Sequence, residues 1–281
     1  MRRVPSGYAG LKSRTRRDTL SISKNHCQSL NKILSGFVPL PVGWLPPMAY
    51  QAFSPAVSRS IRLEALKPHI PELVEDHSLL QTCVQVSGSI RFFRDMPLEE
   101  AICREYNTEL LSDRLYRRSK LIRLLQMTRY ISDGKSLLDE TIELHYRFKP
   151  SRSASSLVEV NHLATIIDQL VVVDDDSLAS YAALGGRHDQ ASVDPVYARE
   201  VLQFPGLQVP VDLVTLILMS SLNQAMPSVT MRSLEYHTYG QFYSGDSLRI
   251  CASELADQQV LIWAETGGKL IYRAVVWLMS V

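Results

Sequence analysis

The sequence predicts an α+β protein in which antiparallel sheet curls around a buried helix, and three observations predict it. Residues 211–226, VDLVTLILMSSLNQAM, are apolar nearly all round, so a helix there must be wrapped by protein on most sides. The stretches after it, SLEYHTYGQFYSGDSLRICASEL (233–255) and QVLIWAETGGKLIYRAVVWLMSV (259–281), alternate apolar and polar side chains, with TGGK as a hairpin turn. The first half carries similar strands: TCVQVSGSIRFFR (82–94), whose central Gly suits a bent or bulged strand, then 99–109, 119–130 and 137–148, with SDG (132–134) turning the last pair.

The 281 residues allow one large domain or two small ones; 46% are hydrophobic, 21% are charged, and the net charge is +1. That composition is ordinary for a soluble chain, and a balance near neutrality gives no electrostatic reason to seek nucleic acid or an anionic membrane. Cys27, Cys83, Cys103 and Cys251 lie far apart, so neither a metal site nor a disulfide framework is expected, and a reduced intracellular setting fits. The apolar runs Leu213–Met219 and Ala274–Met279 are too short to span a bilayer.

In chain order, residues 1–24 carry Arg2, Arg3, Lys12, Arg14, Arg16, Arg17 and Lys24 against the single acid Asp18. Two readings stay open for this segment, a mitochondrial transit peptide or a disordered basic leader; both set it outside the fold and leave the location mitochondrial or cytoplasmic. Residues 26–36 read as a short helix, and FVPLPVGWLPPMAYQAFSP (37–55) as a long ordered loop. A first-half helix is less clear, with 64–80 as the candidate. Arg117, Arg118, Lys120, Arg123 and Arg129 read as a solvated strand face, or more sharply as a cradle for a phosphate-bearing ligand. KPSRSASS (149–156) is the candidate linker between halves 25–148 and 157–281. Asp174, Asp175 and Asp176 form an acidic turn, solvated rather than metal-binding. DPVYAREVL opens a helix with Asp194 as N-cap and Pro195 behind it.

Several of these segments resemble one family. FPGLQVPVDLVTLIL (204–218) is similar to the helix entry of the MaoC-like hydroxyacyl-thioester dehydratases of type 2, and DPVYAREV (194–201) and LASYAALGGRHDQASVD (178–194) to the segments that precede it. LPVGW (40–44), SGSIRFF (87–93), YSGDSLRICA (243–252) and LIWAETGGKLIYRA (261–274) follow the same pattern, and the matches keep their order over most of residues 30–281. The resemblance implies an α+β double hot-dog fold, two antiparallel sheets each wrapped around a central helix and together forming one continuous antiparallel sheet. It also implies addition or removal of water across the α,β bond of an acyl thioester, with no cofactor.

That chemistry needs a group that moves the α-proton and a donor for the thioester carbonyl as charge develops on it. In the family a polar residue and a later histidine form the acid–base pair, and a backbone N–H at the helix start holds the carbonyl. Carried over, the pair falls on Arg187 and Ser192, neither of which is a competent base, and the helix-entry His-Gly becomes Pro210-Val211. The Val211 N–H survives as carbonyl contact. His188 and Asp189 are the candidate proton carriers, with Asp212, while Arg187 could hold a carboxylate or enolate oxygen. His237, Tyr239 and Trp44 are candidate substrate-binding residues.

Three functions follow: a hydratase or dehydratase with a rewired site, an isomerase or cyclase of a polyketide-like intermediate, or a non-catalytic hot-dog partner. The expected ligand is a small, elongated, largely apolar acyl or polyketide-like molecule, and the architecture allows a homodimer. Each candidate also has a bland role, His188 as a surface-loop residue, Asp212 as a helix cap and His237 as a strand residue.

Overall fold

The computed structural model describes residues 15–39, 48–53, 82–112, 121–147, 165–185, 190–255 and 258–280. Its strands are β1 (Arg16–Ser21), β2 (Thr82–Phe92), β3 (Ala101–Ser112), β4 (Leu121–Ser132), β5 (Lys135–Arg147), β6 (Ile167–Val172), β7 (Val229–Thr238), β8 (Ser247–Leu255), β9 (Gln259–Thr266) and β10 (Lys269–Ser280). All pair antiparallel in a single ten-stranded sheet, ordered β1-β3-β4-β5-β2-β7-β10-β9-β8-β6. The two halves thus form one continuous antiparallel sheet, as the resemblance implies, rather than two separate ones. β2 of the first half pairs with β7 of the second from Ser87↔His237 to Arg91↔Ser233, so backbone hydrogen bonds run through the join.

The helices are α1 (Lys24–Ser35), α2 (Tyr50–Phe53), α3 (Asp175–Ala182), α4 (Gln190–Val193) and α5 (Val211–Ala225), with a π-helical turn at Tyr197–Val201. Every residue of α5 from Asp212 to Leu222 is buried, as its all-round apolar surface requires. It packs against the inner face of the second half, where Leu248, Ile250, Ala252, Ile262, Ala274 and Val276 are buried. The corresponding face of the first half is more polar, with Arg104, Thr108, Gln126, Thr128 and Glu140 all buried. The candidate helix 64–80, the linker 149–156 and most of the 37–55 loop lie outside the described residues.

Part of the expected basic leader is instead an edge strand. β1 pairs with β3 from Arg16↔Tyr106 to Ser21↔Ala101, buries Leu20, and sets the Asp18 carboxylate on the buried Arg104 guanidinium. Composition hid this strand because Leu20 is its one large apolar residue among arginines and small polar groups, while the buried partner of Asp18 lies more than eighty positions away. Ser23 then caps α1, accepting from the His26 N–H at 3.1 Å, two residues earlier than the helix the sequence suggested.

Both hairpin signals hold. Asp133 and Gly134, and likewise Gly267 and Gly268, have positive φ at both central positions, the turn that matches strand twist. Arg129 is paired with Asp139 at 2.9 Å and Arg123 with Glu143 at 2.6 Å, so the described part of the basic cluster is neutralised on the outer sheet surface. Asp174 is the N-cap of α3, its carboxylate accepting from the Ser177 N–H at 2.7 Å. Asp194 caps as expected, accepting from Val196 and Tyr197 N–H, but the turn it starts winds wide, with Leu202 N–H reaching Tyr197 O. No helix among the described residues is long and apolar enough to cross a membrane.

Candidate active site at the start of α5

The entry to α5 is held by the chain segments that flank it. Gln208 N–H bonds Ala191 O at 3.0 Å and Val209 N–H bonds Phe242 O at 2.9 Å, which fixes the approach of Pro210. Gly206 makes this possible: a Cβ there would meet the Ser244 hydroxyl at 2.9 Å and its carbonyl oxygen at 3.0 Å. The Pro-Gly-Leu signature is thus a close-approach requirement. Pro210 precedes the helix, and Val214 is the first residue whose N–H reaches back within it, to Pro210 O at 3.1 Å. The N–H groups of Val211, Asp212 and Leu213 therefore form the positive end of the helix.

Asp212 sits in that first turn, and its side chain is buried. Two tyrosines lie in its field. Tyr236 of β7 and Tyr272 of β10 stack with ring centres 5.5 Å apart. Thr215, one turn on from Val211, donates to Val211 O at 2.8 Å and lies 3.1 Å from the Tyr272 hydroxyl. Burial pushes the Tyr272 phenol well up, with the Asp212 charge adding to it against the Thr215 hydrogen bond. Burial likewise holds Tyr236 well above its ordinary range, helped by Tyr272, Glu140 and Asp212 and opposed by the hydrogen bond from Gln85. Both hydroxyls stay protonated and able to donate.

A second buried carboxylate, from the first half, acts on Tyr236 alone of the two tyrosines. Glu140 of β5 is buried and accepts from Gln51 Nε2 at 2.9 Å and the Tyr50 hydroxyl at 3.2 Å. A cavity of about 20 Å³, the size of a single water, lies at the helix start between Gln208, Val211, Thr238, Gln241 and Tyr272.

Of the residues singled out from sequence, Val211 and Asp212 come together here. Ser192 is buried on α4, next to Ala191 of the apolar cluster with Leu202 and Phe204. His237 is exposed on the outer face of β7, opposite the inward Tyr236, and the sheet separates it from α5. Tyr239 packs beside the outer cluster of Cys251, Leu261, Trp263 and Leu270. Arg187, His188, Asp189 and Trp44 lie outside the described residues. Tyr236, Tyr272, Thr215 and Glu140 were missed, although strand alternation alone sets Tyr236 on the face of Leu234 and His237 on the other. Among the described residues no group of three or more His, Cys, Asp or Glu could hold a metal ion.

A long buried helix in a curled antiparallel sheet, repeated as two joined halves of sheet, is hot-dog architecture. Among solved structures the chain is similar to HtdX of Mycobacterium tuberculosis, with a TM-score of 0.65 at 14% identity over 94% of this chain and 99% of that one. A MaoC-like dehydratase from Phytophthora capsici gives 0.66 at 11% identity, covering 95% and 96%. The 12:0-ACP thioesterase from Umbellularia californica gives 0.54 at 10% identity, covering 98% and 100%. No protein-family model matches the chain, and no curated protein matches it in sequence. At these identities the likeness establishes the fold, which the chain shares with MaoC-like dehydratases, and fold alone does not fix the reaction.

Proposed function

We propose that the chain is a MaoC-like hot-dog enzyme that moves a proton at the α-carbon of an acyl thioester, in hydration or dehydration chemistry with a rewired site. The observation that carries this reading is the buried Asp212 carboxylate in the first turn of α5, next to the Val211 N–H at the helix start. The thioester oxygen accepts from Val211 N–H, where the helix dipole favours the growing enolate charge. Asp212 takes the α-proton. In dehydration the β C–O bond then breaks, and the leaving hydroxide collects that proton to depart as water. His188 and Asp189 serve as further proton carriers, and Arg187 holds an anionic oxygen of the substrate. The acyl group is elongated and largely apolar or polyketide-like.

One observation favours isomerisation or cyclisation as a second reading. Ser192, at the position where the family has its histidine, is buried next to an apolar cluster and supplies no base for activating water. A proton taken by Asp212 would then return to the substrate itself.

The test is turnover of hydroxyacyl, enoyl and polyketide-type thioesters of graded length, with Arg187→Ala, His188→Ala and Asp189→Ala beside the parent. Loss of product formation in at least one variant supports the loop roles. If all three leave turnover and ligand binding unchanged, those roles are wrong. If the parent binds no thioester, the non-catalytic partner reading replaces this one.

A further inference from the structure

The cavity of about 20 Å³ at the start of α5 has no charged side chain in its lining among the described residues. Its polar side chains are those of Gln208, Thr238, Gln241 and Tyr272. Two of these are engaged elsewhere: Thr238 donates to Gln85 O at 2.7 Å, and the Tyr272 hydroxyl lies 3.1 Å from Thr215 Oγ1. Gln208 and Gln241 are half-buried, and the Gln208 carboxamide makes no hydrogen bond among the described residues. Gln241 is aimed by a neighbour. Tyr243, bridged through its backbone to Gln208, packs its ring on Phe204 with centres 5.2 Å apart. Its hydroxyl donates to Gln241 Oε1 at 2.6 Å. Burial, with the Asp246 charge adding, pushes that phenol up to about 12, so it stays protonated as the donor. The Gln241 carbonyl is thereby fixed, and both Nε2 protons remain for a ligand.

We propose, resting on the thioester reading, that Gln241 holds the β-oxygen of the substrate: the water that adds, or the hydroxyl that leaves. Three properties select this oxygen. A lining without a charged group favours no carboxylate or phosphate. Room for a single water excludes a larger neutral group. A hydroxyl or water both donates and accepts, which Gln241 Nε2 and Gln208 Oε1 together match, whereas the thioester carbonyl only accepts and is met by Val211 N–H. As the β C–O bond breaks in dehydration, Gln241 Nε2 keeps its proton and lends a hydrogen bond to the departing hydroxide. That hydroxide takes the α-proton from Asp212 and leaves as water. Tyr243 is a positioning residue, acting through the Gln241 amide.

The experiment compares two reactions of the full chain on N-acetylcysteamine thioesters, butanoyl to hexadecanoyl. One is loss of water from the 3-hydroxyacyl series. The other is α-proton exchange into D₂O with the saturated acyl series, which has no β-oxygen. Gln241→Leu should lower the ratio of dehydration to exchange by about 10- to 100-fold, as for one hydrogen bond to a developing charge. Tyr243→Phe, which frees the amide to turn, should lower it by about 2- to 10-fold. A residue that only supported the fold would slow both reactions and leave the ratio alone. Gln208→Leu should lower the ratio too, so the cavity is tested even where Gln241→Leu fails to fold. A ratio unchanged in these variants overturns the inference and leaves the thioester reading standing, as does a parent that exchanges α-protons without dehydrating. A parent that does neither overturns both.

Discussion

Gly88 of β2 and Tyr236 of β7 share one space: a Cβ on Gly88 would overlap the Tyr236 ring and hydroxyl. Glycine there lets Tyr236 reach across β2 at the join of the two halves, where Gln85 Nε2 donates to its hydroxyl. Gly88→Ala should therefore cost about 1–3 kcal/mol, the usual range for overpacking. Pairing it with Tyr236→Phe removes the clashing oxygen and should recover part of the loss. Denaturant unfolding of the single and double variants checks this; a Gly88→Ala protein as stable as the parent would contradict the packing.

The β1 strand makes a second, separable prediction. Arg104 is buried and takes the Asp18 carboxylate on its Nε at 2.8 Å, with a second contact through Nη2. Asp18→Ala leaves that guanidinium without its carboxylate and should destabilise by about 1–3 kcal/mol, less than a fully buried pair because Asp18 is partly exposed. Asp18→Asn should fall between. Equal melting temperatures for all three would mean that β1 is not part of the folded unit.

Stability should also fall in acid through Glu143. Burial raises its pKa, but the hydrogen bonds from His145 and Arg123 outweigh burial and leave it lowered. A carboxyl depressed in the folded state contributes stability above its unfolded value of about 4.3, and loses it as pH falls through the folded value. Melting temperature against pH should drop below that range, and Glu143→Gln should flatten the drop. An unchanged slope in that variant would remove Glu143 as the cause.

Much of this fold could be read from sequence because its signals are local. The all-round apolar helix, both hairpin turns and the alternating strands each follow from a dozen residues or fewer. What could not be read depends on distant partners. β1 is a strand only because β3 lies beside it, and the continuity of the sheet, implied by the resemblance, shows in no single segment because it is the pairing of Ser87–Arg91 with Ser233–His237. The site divides the same way. Asp212 and Val211 were legible from the helix entry. Tyr272 reaches them only through sheet register, and strand alternation turns His237 outward, away from them.

Divergence at the acid–base pair predicts weak activity on the simplest substrates. Hydration of a crotonyl thioester should proceed below about 1 s⁻¹, the low end of ordinary enzyme turnover. Loss of enone absorbance measures it directly. A faster rate would mean that an intact acid–base pair stands somewhere other than Asp212 and the 187–192 loop.

The central claim is that Asp212 moves a proton at the α-carbon of an acyl thioester, and solvent deuterium exchange reads that step whatever the product. An acyl thioester that the protein binds is incubated with it in D₂O, and incorporation at the α-position is followed by NMR. The account predicts incorporation by the parent chain and a loss of about 10²-fold or more in Asp212→Asn, the usual contribution of a general base. Exchange by Asp212→Asn at the parent rate, with both proteins folded, would contradict it.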